Sequence, residues 1–170
     1  MTVHPRTDEL IESIRWSFEN FVMPDLDDEY AISVAHTIRN LLKHVSLRIQ
    51  FEGPALDAHR RELRGLLSEI RDYAASEVAA LGGLPGEIDA ALVEDGDDDC
   101  PLPGVIDLGE KVISLRWALD RALRALQAAR SEIGDDERYV AIRQEIRECL
   151  ARQLEREDAW MTPAFSGRRR

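Results

Sequence analysis

Basic residues are scarce. The 170-residue chain carries 22 Lys and Arg against 33 Asp and Glu, a formal net charge of −11. A nucleic-acid or anionic-membrane binder needs a basic face, so neither partner class is expected. Cysteine is almost absent: Cys100 and Cys149 form no close-spaced pair and give no reason to assume an oxidising compartment. Long apolar runs are missing too; Val78 to Leu81 is among the longest and is far too short to span a bilayer. No charged start followed by an apolar stretch reads as a signal peptide, so a cytoplasmic location is expected. Alternating strand patterns are also lacking.

Leu, Ala, Glu and Arg dominate, and 44% hydrophobic residues suffice for a core. The pattern predicts an all-α fold, a single helical domain over 1–170 with five long helices and one short one. A first helix runs from Asp8 to Met23, with Thr7 as N-cap and Leu10, Ile11, Ile14, Phe18 and Phe21 as its inward stripe. Pro24 ends it. Asp27 or Asp28 caps a second helix to Phe51, with Ala31, Val34, Ile38, Leu41, Leu42, Val45 and Ile49 inward. Gly53-Pro54 is expected to break that helix and open a connecting helix over 54–81. The stripe of this third helix is Leu56, Leu63, Leu66, Leu67, Ile70, Tyr73 and Ala74.

A short helix over 85–93 precedes an acidic loop, 94–104, where like charges and two prolines oppose helix. The next helix, 106–131, turns Leu108, Val112, Leu115, Leu119, Leu123 and Leu126 inward. Gly134 breaks it, Asp135-Asp136 caps a last helix to Trp160, and 166–170 reads as a frayed tail.

The first and last hairpins, 8–51 and 106–160, resemble one another. Ser13-Ile14-Arg15-Trp16-Ser17-Phe18-Glu19 aligns with Ser114-Leu115-Arg116-Trp117-Ala118-Leu119-Asp120 at an offset of 101. At an offset of 108, Asp27-Asp28-Glu29 meets Asp135-Asp136-Glu137, Ile38-Arg39 meets Ile146-Arg147, and Arg48 meets Arg156. The seven-residue change falls between helices, where length is cheap. A duplication of this kind implies two hairpins packed about a pseudo-twofold axis as a four-helix bundle.

Recognisable chemistry is sparse. No histidine has Glu three residues before it, and no His-Glu-x-x-His occurs, so the helical di-iron pattern is missing. The acidic loop fails the EF-hand pattern, with Cys100 and Ile106 where Gly and Glu belong. Cys100 follows three aspartates that oppose its thiolate, and Cys149 falls on an inward stripe with Ile142 and Ile146. No nucleophile elbow, Walker or dinucleotide glycine pattern is present. No catalytic residue, metal ligand or cofactor is therefore expected.

The candidate binding residues are Arg15, Trp16, Arg39, Arg116, Trp117 and Arg147. At 100° per residue, Trp16 lies about 200° from Ile14, and Trp117 is likewise opposed to Leu119. With Met23 they form a second apolar strip, suited to a homodimer or protein partner. The recurring arginines could instead grip the anionic group of a small molecule.

Thr7-Asp8-Glu9-Leu10-Ile11, Phe21-Val22-Met23-Pro24-Asp25-Leu26 and the segment Arg48 to Pro54 with its Glu52-Gly53-Pro54 complete the reading. Over this first half the chain resembles a family of small helical bacterial proteins of uncharacterised function. Its members are encoded beside aminoglycoside-phosphotransferase-like kinases and acyl-CoA dehydrogenases. They are usually shorter, so the second hairpin departs from the pattern. The resemblance supplies no catalytic residues and implies an accessory role near acyl-CoA metabolism.

Overall fold

A computed structural model describes residues 4–77, 81–96 and 104–165, leaving aside the side chains of 77, 159 and 163–165. The chain is all-α, with no strand among the described residues. Helix α1 spans Thr7–Ser17 and widens into a π-helical turn, Phe18–Val22, before the 3-10 turn Met23–Asp25 that carries Pro24. Helix α2 is Glu29–Glu77, α3 Leu84–Asp95, α4 Val105–Ala128, α5 Arg130–Ile133 and α6 Glu137–Phe165. None of these helices is long and apolar enough to cross a membrane.

The helix starts follow from capping. Asp28 accepts from the Ala31 amide at 2.8 Å, and Asp136 accepts from the amides of Arg138 and Tyr139. Each satisfies donors that a first helical turn leaves without intrahelical partners. At α1 the expected cap, Thr7, lies inside the helix. The cap is Arg6, whose amide donates to Glu9 Oε2 at 3.0 Å; its guanidinium has no acceptor to offer the amides of the first turn.

The expected break at Gly53-Pro54 does not occur: Pro54 lies within α2. Gly53 has no Cβ to meet the proline ring, which eases the clash that normally drives the preceding residue out of helical geometry. Pro54 still cannot donate to the Gln50 carbonyl, so the helix lacks one rung there. That weak point coincides with a boundary between two compact units, 1–53 with 155–170 and 54–154.

The 54–154 unit holds a dense core. Leu63, Leu66, Leu67, Ile70 and Tyr73 of α2 cluster with Ile88 of α3, Val112, Leu115, Leu119 and Leu126 of α4, and Ile142, Ile146 and Cys149 of α6. Apart from Ile88, these lie on the inward stripes expected for the third, fifth and sixth helical segments. The other unit differs. Among its described residues only Ala35 and Trp160 are buried. Of the stripe expected inward on α1, Leu10, Ile14 and Phe21 stand exposed and Ile11 and Phe18 are half-buried. On α2, Val34, Ile38, Leu41, Val45 and Ile49 are likewise exposed. Spacing identifies a face that favours burial; it does not supply the surface that buries it.

The acidic segment expected as a loop from Glu94 begins later, because α3 runs to Asp95. Asp95 is buried, and Gly96, at φ 72°, ends the helix in a backbone conformation that favours glycine. The rest of that loop through 103, with Cys100, and the tail 166–170 lie outside the described residues.

Candidate functional site

In the 54–154 unit, α2 and α6 bring together three side chains of different chemistry. His59 and Glu62 stand three residues apart, on one face of α2. Cys149 reaches them from the inward face of α6. One donor atom from each lies within 4.8 Å of the other two, with His59 and Cys149 buried and Glu62 half-buried.

Arginines from two helices engage this cluster. Arg116 of α4 donates through Nε to His59 Nε2 at 3.2 Å. Arg152 of α6 donates through Nε to Glu62 Oε1 at 3.2 Å, and through Nη2 to Glu145 Oε1 at 2.7 Å. The Glu145 hydrogen bond raises the Arg152 guanidinium above its ordinary value; partial burial opposes this, and the charges of Glu62 and Glu145 add to it. Because Nε2 accepts from a guanidinium that is always charged, the neutral His59 ring carries its proton on Nδ1.

A second buried polar group is structural. Arg60 donates to both Asp95 oxygens, through Nε at 2.7 Å and Nη2 at 2.8 Å. Arg64 also pairs with Asp95 and donates to the Gly96 carbonyl at 2.7 Å. Burial alone would push the Asp95 carboxyl up, but hydrogen bonds from Arg60 and Arg64 outweigh it and hold the group below its ordinary value. Two cations at the C-terminus of α3 also oppose the negative end of its dipole. This pairing clamps α3 to α2.

The six residues singled out from sequence are distributed between the units. Arg15, Trp16 and Arg39 belong to the 1–53 segment, and Arg116, Trp117 and Arg147 to 54–154. Arg15 is paired with Glu12 and, at 3.0 Å, with Glu19. Arg116 faces His59, while Asp120, its expected neighbour, pairs with Arg124 at 2.9 Å. Arg39 is half-buried and Arg147 exposed. Trp16 and Trp117 are 56% and 62% exposed, and Met23 is half-buried. Trp16 meets Phe21 edge to face, with ring centroids 5.3 Å apart.

Beside Trp16 runs a cleft of about 500 Å³, lined by Asp8, Glu9 and Glu12 of α1 and Ser46 and Gln50 of α2. Its lining carries three carboxylates and no basic side chain, the wrong sign for an anion.

Sequence reasoning passed over His59 and Glu62. It sought Glu three residues before a histidine, whereas here Glu follows three residues after. From the sequence, Cys149 reads only as a member of an inward stripe. The usable signal was His59-x-x-Glu62 on the inward part of one helix, opposite an inward cysteine on another. Comparison with family models, curated proteins and solved structures gives no match for this chain.

Proposed function

We propose that the chain is a non-catalytic helical interaction protein that pairs with a second copy of itself through α1 and the first half of α2. The exposed apolar stripe of α2 carries this reading. Val34, Ile38, Leu41, Val45 and Ile49 are spaced by four, three, four and four residues. They fall within an arc of roughly 80° on a regular helix, close to the seam that helices use to pack on one another. A unit whose described core is Ala35 and Trp160 has little apolar burial of its own with which to offset chain entropy.

Area and charge both favour a second copy. The five α2 side chains with Leu10, Ile14 and Phe21 offer on the order of 700 Å² of apolar surface, close to the roughly 800 Å² per partner of a standard interface. From Thr7 to Asp25 the chain carries five carboxylates and one arginine. From Glu29 to Gly53 it carries two carboxylates against Arg39, Lys43 and Arg48. Setting α1 of one copy against α2 of the other therefore joins opposite charges under a twofold axis. The overall net charge acts against association only weakly, because exposed charges are screened beyond about 10 Å at moderate salt.

The test is the double substitution Ile38→Glu with Leu41→Glu, which places two carboxylates in the seam. Light scattering after size exclusion should show the molecular mass halved relative to wild type, with the 54–154 core still giving a cooperative melt. An unchanged mass would refute the assignment of this face.

A further inference from the structure

His59, Glu62 and Cys149 offer an imidazole nitrogen, a carboxylate oxygen and a thiol sulfur from two helices. We propose that they form a binding site for one divalent transition-metal ion of borderline softness, of the kind zinc and cobalt represent. This donor set suits such ions: imidazole and thiolate favour them over magnesium or calcium, and carboxylate completes sets of this type. Tetrahedral coordination with bonds of about 2.0–2.3 Å places donors roughly 3.3–3.8 Å apart. The three donors lie within 4.8 Å of one another, so closure takes about an ångström of side-chain movement without a change of fold.

Charge balance supports the choice. On binding, the Cys149 thiol releases its proton to solvent, while Glu62 contributes its carboxylate and His59 its neutral ring. Thiolate and carboxylate together cancel the two positive charges of the ion. The loaded cluster is then neutral, the state that burial favours. Arg152, bound to Glu62 Oε1, orients that carboxylate from outside. Three protein donors leave a tetrahedral ion one further position, for water or an exogenous ligand.

Arg116 acts as the placeholder of the metal-free state. Its Nε proton sits on the His59 Nε2 lone pair. An ion binding through Nε2 must displace it. An ion binding through Nδ1 moves the ring proton to Nε2, which then cannot accept from Arg116. By either route the Arg116–His59 bond opens, so the guanidinium competes with the metal.

The full chain, stripped with chelator and titrated with Co²⁺, should take up one ion per chain and develop an intense near-ultraviolet thiolate-to-cobalt charge-transfer band. The chain has only two cysteines, so a band kept in Cys100→Ser and lost in Cys149→Ser assigns the sulfur. If Cys149→Ser fails to fold, retention in Cys100→Ser decides the matter alone. Arg116→Gln removes a hydrogen bond from a charged group that the ion must otherwise break, so it should bind Co²⁺ about tenfold more tightly. A wild-type titration without the band, a band lost in Cys100→Ser, or weaker binding by Arg116→Gln would each overturn the proposal.

Discussion

The two segments that align in sequence meet different fates. Ile14 is 53% exposed and its aligned partner Leu115 is 0% exposed; Ile38 is 40% exposed and Ile146 is 3% exposed. All four occupy positions that helical spacing marks as inward. In 54–154 the neighbours needed to cover that face are present, because α2, α3, α4 and α6 all contribute to one core. In the other unit the stripe is left open. Amphipathic periodicity therefore reports what a helix favours, whereas burial reports what its surroundings supply.

The sharpest way to break the contrast is to attack the well-packed side. Asp95→Asn leaves the buried Arg60 guanidinium without its counter-charge and should cost about 3–5 kcal/mol in chemical denaturation. The same residue sets a pH dependence. Its folded-state value lies below its unfolded one, so its stabilising contribution is complete above the unfolded value near 3.9 and is lost as pH falls through the folded value. Wild type should therefore lose stability on acidification below about pH 4 more steeply than Asp95→Asn does.

Next in size is the aligned pair itself. Leu115→Ala empties a fully buried site and should cost about 2–5 kcal/mol. Ile14→Ala should cost under about 1 kcal/mol in the isolated chain and act on association instead. Comparable losses of folding stability at both positions would erase the contrast.

Pro54→Ala restores the donor to the Gln50 carbonyl at the unit boundary. It should raise stability by about 2 kcal/mol, since helix-interior proline costs roughly 3 kcal/mol and up to about 1 kcal/mol of that is returned as unfolded-state entropy. The smallest effect is expected at Tyr139, whose buried hydroxyl has no hydrogen-bond partner among the described residues. Tyr139→Phe should be neutral or stabilising by under about 1 kcal/mol in thermal melts.

Helices and most of the 54–154 core were legible from sequence because a 3.6-residue period is a local signal. The stripes of Leu63 to Ala74 and Leu108 to Leu126 needed no knowledge of neighbours. Other features were illegible for the same reason. The Arg60–Asp95 pair joins residues 35 apart, and the His59–Cys149 approach joins two helices far apart in the chain, so no spacing rule reveals either. Gly53-Pro54 misled in the opposite direction. Its local signal for a helix end is genuine, yet α2 continues through it, and the signal marks the edge of a unit instead.

The most direct measurement is sedimentation equilibrium of the unmodified chain across the micromolar range at moderate salt. Pairing through α1 and α2 predicts a mass of twice 19.3 kDa at the upper concentrations. A mass of 19.3 kDa throughout, with the helices intact by circular dichroism, would contradict it.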